Sequence, residues 1–285
     1  MQTDRREWQY CCITKERNRV LCLSGVIPTK WRHKFIIFCG YVLLLIERIM
    51  EQGQSIFVGN IKGGVGKSTI SAFLFDYFRI RFAERSIQML DTDRQGTAFE
   101  LLEPLSKEGE VRHVPVSDRF DGLSLVTVDS ILRRMRAEEN SLTIVDTGAG
   151  WPGNVWQIAM MCECIIIPTS LSWADLRPTL EFVREMDERK EGDMTVTPHL
   201  IVVPNRISPA QRDLSLLSKH LEGLNVVLAP TLSDLSLVRQ MSSNYRGLKG
   251  AEGTRFYNEF IRLGDFITDY VLSGKLSAMF KDEIT

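Results

Sequence analysis

At 285 residues with 44% hydrophobic side chains, the chain can bury one substantial core, a single α/β domain of about 230 residues. A formal net charge of −1 gives composition no claim on nucleic acid. Six cysteines, irregularly placed and without Cys-x-x-Cys spacing, exclude a disulfide scaffold or a paired zinc site and make a reduced, cytosolic compartment the default.

The first 54 residues differ from the rest. They hold four of the six cysteines, Trp8 and Trp31, and nine Lys/Arg against five Asp/Glu. Phe35 to Ile46 is an apolar run of twelve behind Lys30, Arg32 and Lys34. That is short of the ~20 residues a membrane-spanning helix needs, and no small-residue cleavage site precedes Glu47-Arg48. Three readings stand: a membrane-associating leader, a buried accessory helix, or translated upstream sequence with the natural start at Met50. The last is favoured, because the first strand of the following domain starts five residues after Met50. Residues 1–54 are therefore set apart as an atypical leader and 55–285 as the functional domain.

Ser55 to Asn60 is an apolar strand, followed by Lys62-Gly63-Gly64-Val65-Gly66-Lys67-Ser68-Thr69 and an amphipathic helix from Ser68 to about Glu84. Strand, glycine loop and helix are the context of a phosphate-binding loop. Glycines let backbone N–H groups converge on phosphate oxygens, and the helix adds its positive dipole end. Lys67 is placed to meet the β- and γ-phosphates, and the Ser68 hydroxyl to complete a Mg²⁺ shell. The first glycine of the general motif falls at Ile61, so the loop is deviant and carries an additional lysine at Lys62.

Ser86 to Asp91 reads as a buried strand ending in the turn Asp91-Thr92-Asp93-Arg94-Gln95-Gly96. Thr97 to Leu105 reads as helix, Val111 to Val116 as a short strand, and Val126 to Glu139 as helix with Arg133, Arg134 and Arg136 on a solvated face. Leu142 to Asp146 is a strand ending in a Walker B-type carboxylate, followed by the glycine-rich Thr147-Gly148-Ala149-Gly150. Cys164 to Pro168 is a strand, Ala174 to Arg189 a helix, and His199–Pro204 and Val226–Leu228 two further strands before a mostly helical C-terminal third. Strand–helix alternation predicts an α/β fold: one P-loop domain whose mostly parallel, twisted sheet is flanked by helices on both faces. Asn60, Asp91, Asp146 and Asn205 end strands, which puts polar groups along the C-terminal sheet edge where ligands bind in such folds.

In this order, Lys62–Thr69, Asp91–Gly96, Ile144-Val145-Asp146-Thr147 and Pro204-Asn205-Arg206 resemble the ParA/MinD family of deviant Walker ATPases, over roughly residues 55–250. The resemblance implies ATP and Mg²⁺ as cofactors, slow partner-stimulated hydrolysis, and a homodimer that sandwiches nucleotide. It implies that Lys62 reaches across to the partner subunit's phosphates, Asp91 positions the attacking water with Asp93 in the same switch loop, and Thr69 touches the α-phosphate. By the same resemblance Gly63, Gly64, Val65, Gly66, Lys67 and Ser68 cradle phosphate, Ser68 and Asp146 hold Mg²⁺, and Asn205 with Arg206 contacts the base. Relatives commonly carry Asp-Pro-Gln-Gly and Asp-Thr-Pro-Pro-Gly; here Arg94, Gly148 and Ala149 replace the prolines, which should loosen the second switch loop.

The family reading extends to partition or cargo positioning: non-specific DNA binding by the ATP dimer through Arg239, Arg246, Lys249 and Arg255, a ParB-like adaptor, and a cytoplasmic, nucleoid-associated location. One alternative is a division- or membrane-site switch of the MinD/MipZ type. The tail Phe266–Thr285 lacks the basic amphipathic face for it, which leaves residues 35–46 as the route to a membrane. Another is a metal-cluster carrier using Cys162 and Cys164. Against that, free cysteines are commonly small core residues.

Overall fold

The computed structural model describes residues 10–13, 20–23, 53–116, 122–150, 155–190, 198–208, 210, 213–234 and 245–281. It comprises two units, Met1–Ile49 and Met50–Thr285. In the first, β1 (Tyr10–Ile13) pairs antiparallel with β2 (Val20–Leu23), with Cys11 opposite Cys22. The apolar run 35–46, the proposed start at Met50 and the DNA candidate Arg239 lie outside the described residues.

The second unit alternates strands and helices as follows: β3 (Gln54–Val58), α1 (Lys67–Arg81), β4 (Ser86–Asp91), α2 (Thr97–Leu102), β5 (Val111–His113), α3 (Gly122–Ala137), β6 (Ser141–Asp146), α4 (Val155–Ala159), β7 (Cys164–Thr169), α5 (Trp173–Arg189), β8 (His199–Pro204), α6 (Ser215–Leu221), β9 (Val226–Leu228) and α7 (Arg255–Lys281). A 3₁₀ turn at Glu103–Leu105 follows α2, and another at Leu248–Ala251 precedes α7. The strands form one parallel sheet in the order β5-β4-β6-β3-β7-β8-β9. The expected mostly parallel sheet is thus parallel throughout its seven strands.

Parallel strands covered on both faces are continuously apolar, and the period of two then sends alternate residues to opposite sides. Ile56, Val58, Ile144, Ile166 and Ile201 enter one cluster with α1 and α7. Phe57, Val145, Ile165, Ile167 and Val202 enter the other with α3 and α5.

The helix after the glycine loop departs from its expected amphipathic character. In α1, Ile70 to Phe78 are all buried. The reason is a third layer: Phe256 and Phe260 of α7 and Tyr245 pack on Phe73, with ring centroids 4.7, 5.4 and 5.3 Å away. A helix covered on both sides carries no polar stripe. The Thr97–Leu105 helix closes as a 3₁₀ turn where Pro104 withholds its N–H. The β5 strand ends at His113, yet the Val114 and Val116 N–H groups still donate to Asp91 and Thr92 carbonyls, at 2.8 and 3.0 Å. The Arg133–Arg136 face is also not uniform. Arg133 pairs with Asp129 in solvent, whereas Arg136 turns inward to Glu163 at 2.6 Å.

Candidate functional site

Sheet order assembles the site. Because β6 lies between β3 and β4, Asp146 pairs in register with Val58 on one side and Asp91 on the other. The glycine loop leaves β3 at the same edge and turns into α1. Gly66, at φ 96°, caps α1 in the left-handed region, and a Cβ there would collide with the Asn205 amide. Lys67 is nearly buried and donates to the Lys62 carbonyl at 3.0 Å, so its ammonium folds back over the loop. Burial lowers its pKa, opposed by the charges of Asp146 and Asp93.

Asp146 is fully buried. Its Oδ1 accepts the Ser71 hydroxyl at 2.7 Å, and among the described residues its Oδ2 has no hydrogen-bond partner. Burial pushes its pKa up to about 7, Asp91 pushes the same way, and Ser71, Ser68 and Lys67 oppose the rise. A buried anionic oxygen with spare acceptor capacity is costly unless something occupies it. The Asp146 carboxylate and Ser68 hydroxyl are hard oxygen donors of the kind Mg²⁺ takes, so the residues present fit that ion.

The turn after β4 separates its two aspartates. The family resemblance implies a water-positioning role for Asp91; in the structure each of its oxygens accepts one backbone donor, Oδ1 from Asp93 N–H and Oδ2 from Phe99 N–H, each at 2.9 Å. Burial raises its pKa, and these two bonds oppose the rise. Asp91 therefore braces the turn and the start of α2. Asp93 is half-buried, lies close enough to influence Lys67, and accepts only Gln95 N–H at 3.1 Å among the described side-chain contacts. The glycine-rich loop after Asp146 meets the phosphate loop, with Gly150 N–H donating to Ile61 O at 2.9 Å.

Lys62 projects from the loop and pairs with Asp175 of α5 at 3.5 Å, both partly exposed. Burial raises the Asp175 pKa, but Ser170, Ser172 and Lys62 outweigh it and the net shift is downward. Asn60 fixes this corner. Its side chain donates to Pro168 O and Thr179 Oγ1 and accepts Lys62 N–H, at 2.9, 2.7 and 3.0 Å. Asp175 and Ser71 went unnoticed in the sequence, because a lone Asp or Ser in the first two turns of a helix carries no distinguishing signal.

Asn205 reaches the phosphate loop and braces it, donating one amide N–H to Val65 O at 2.8 Å, which leaves its second N–H and its Oδ1 available to a ligand. Arg206 is exposed with φ 60°. With Thr69 and Ser233 they border a cavity of only about 30 Å³. The DNA candidates are not equivalent. Arg246 and Lys249 are exposed, beside Tyr245 and Leu248, which both donate to the buried carboxylate of Asp76 in α1, at 2.6 and 3.0 Å. Arg255 is engaged with Glu259 at 2.7 Å and Ser233 at 2.8 Å. Cys162 and Cys164 are buried in different apolar clusters, with thiol pKa values raised by burial, an arrangement that does not present two sulfurs to one cluster. Among the described residues no group of metal-binding side chains assembles elsewhere, and no helix is long and apolar enough to cross a membrane.

Comparison with solved structures gives the same fold at low identity. McdA from Cyanothece in an ATP complex superposes with a TM-score of 0.56 at 14% identity, covering 77% of this chain and 96% of that one. MinD from Pyrococcus horikoshii with Mg-ADP gives 0.55 at 14%, covering 75% and 96%. A ParA family ATPase from Chlorobium tepidum gives 0.52 at 14%, covering 74% and 98%. No curated protein matches the sequence. The model of the CobQ/CobB/MinD/ParA nucleotide binding domain matches residues 56–243, which contain the phosphate loop, the Asp91–Gly96 turn, Asp146 and Asn205. The chain belongs to this CobQ/CobB/MinD/ParA nucleotide-binding family.

Proposed function

We propose that this protein is an ATP-dependent dimerising switch that hydrolyses ATP slowly and acts in partition or positioning of a DNA cargo. The observation that carries the reading is the pair of lysines on one phosphate loop, Lys67 folded inward over it and Lys62 held outward by Asp175. Lys67 and the loop N–H groups bind phosphate of the same subunit. Lys62 leaves Asp175 and meets phosphates across a dimer interface, which ties association to ATP because two facing cationic loops repel without it. Asp146 and Ser68 would hold Mg²⁺, which would supply charge neutralisation at the phosphates. Asp93, which is less buried and whose carboxylate faces fewer backbone donors than that of Asp91, accepts a hydrogen bond from the attacking water.

Asp76 gives the switch a route to cargo, since the helix that follows the phosphate loop holds the segment bearing Arg246 and Lys249. Doubling that segment by dimerisation doubles its phosphate contacts and steepens salt dependence. The test is DNA retention with ATP, ADP or no nucleotide, for wild type and Lys62→Ala. ATP-dependent, salt-sensitive retention lost in Lys62→Ala is expected. Equal retention in all nucleotide states overturns the partition reading, and ATP-dependent liposome flotation without DNA retention favours a MinD/MipZ-type switch.

A further inference from the structure

We infer that His113 is a positioning residue for the Asp91–Gly96 turn, holding Asp93 at the phosphate side of the site; the catalytic consequence rests on the hydrolysis reading above. His113 is the last residue of β5, the edge strand beside β4, and its ring turns over the neighbouring turn. His113 Nε2 lies 2.7 Å from the Asp93 carbonyl oxygen. A carbonyl only accepts, so Nε2 carries the proton. The same oxygen accepts Gly96 N–H at 3.1 Å, which fills both its lone pairs. The ring stacks on Phe99 at 5.7 Å and abuts Gly96, where a Cβ would come within 3.0 Å of it. Phe99 in turn donates its N–H to Asp91. One imidazole thus touches the turn at its middle, its end and the first turn of the following helix.

Gly148 lies against the Asp93 carboxylate. A Cβ there would sit 2.9 Å from Asp93 Oδ1, so a larger residue would displace the carboxylate. The two departures from the family pattern thus both adjoin Asp93. Arg94 removes a proline that would restrain the turn through its own φ angle, and His113 restrains the turn from another strand. Gly148, where a Cβ would meet Asp93 Oδ1, leaves room for the carboxylate. The restraint is transferred from covalent geometry to a hydrogen bond and a close approach.

The test compares His113→Leu, which keeps apolar bulk but removes the donor, with His113→Gln, which restores an N–H at similar reach. Hydrogen exchange of the amides at 92–96 is followed in the full chain without nucleotide, alongside ATP turnover and thermal midpoint. In His113→Leu these amides exchange about five- to tenfold faster, the effect of losing one hydrogen bond. Its kcat falls by a similar factor at nearly constant KM, and His113→Gln recovers most of both. Gly148→Ala lowers kcat with the His113 bond intact. Unchanged exchange in His113→Leu, or His113→Gln behaving like His113→Leu at equal thermal midpoint, overturns the assignment. A wild-type chain that binds ATP but never turns it over defeats the hydrolysis reading instead, and the exchange comparison still decides the role of His113.

Discussion

The two edges of the sheet use charge in opposite ways. At the N-terminal edge, Glu163 accepts Ser55 N–H at 2.7 Å, Ser55 hydroxyl at 3.1 Å and Arg136 at 2.6 Å, while Arg136 also bonds Met161 O. Beside it, Gln54 donates to Val271 O at 2.6 Å and accepts Arg85 at 2.9 Å. These groups staple α3, β3 and α7 together. At the C-terminal edge, among the described residues, Asp146 keeps an oxygen without a partner, its pKa is driven up, and Lys67 has a single backbone carbonyl as its hydrogen-bond partner. Saturated polar groups give rigidity; unsaturated ones give ligand affinity, because binding supplies the interactions that folding withheld.

Substitutions at each edge should separate these two uses of charge. The largest effect is expected from Lys67→Ala: nucleotide affinity, read by titration with a fluorescent ATP analogue, falls by roughly 100-fold or more, as the loss of charge-assisted bonds requires. The urea midpoint should hold or rise, since the ammonium is desolvated. Arg136→Ala inverts the pattern. It leaves Glu163, only 11% exposed, without its cation and costs about 3 kcal/mol of unfolding free energy, with ATP affinity unchanged once the protein is folded.

Asp175→Asn tests the position of Lys62. The partly exposed pair contributes under about 1 kcal/mol, so stability stays put while ATP-dependent self-association, measured by sedimentation, tightens by a few-fold. The smallest effect belongs to His199 at the N-terminal edge, whose pKa is lowered by burial and by Lys190. A depressed histidine stabilises the fold above its unfolded pKa and loses that contribution as pH falls, because the unfolded chain binds a proton the folded one refuses. His199→Gln should flatten the fall in stability below about pH 6.5 in denaturant titrations.

Much of the site is legible without coordinates. The octet Lys62–Thr69 carries its own geometry, since glycine spacing, lysine and hydroxyl act within one loop and one helix start. Strand cores were readable for a similar reason: Ser86–Asp91, Cys164–Thr169 and His199–Pro204 are short apolar runs bounded by polar turns, and they lie where expected. The division of labour between Asp91 and Asp93 was not readable. Two aspartates spaced by one residue look equivalent along the chain; burial and the directions of the Asp93 and Phe99 N–H groups distinguish them. The burial of α1 was hidden too, because its covering layer comes from α7, nearly two hundred residues later.

The sequence by itself determined the parallel α/β class, the phosphate loop and the pair of lysines, because these depend on local propensity, period and spacing. Tertiary structure alone decided which polar groups are spent on the fold and which remain for a ligand. It buried Asp146 with one oxygen unpartnered among the described residues, gave each oxygen of Asp91 a backbone donor, turned Arg136 to Glu163, and brought His113 to the backbone and Gly148 to the carboxylate of Asp93. Those outcomes depend on sheet order and on contacts between residues far apart in the chain, for which one-dimensional spacing holds no signal.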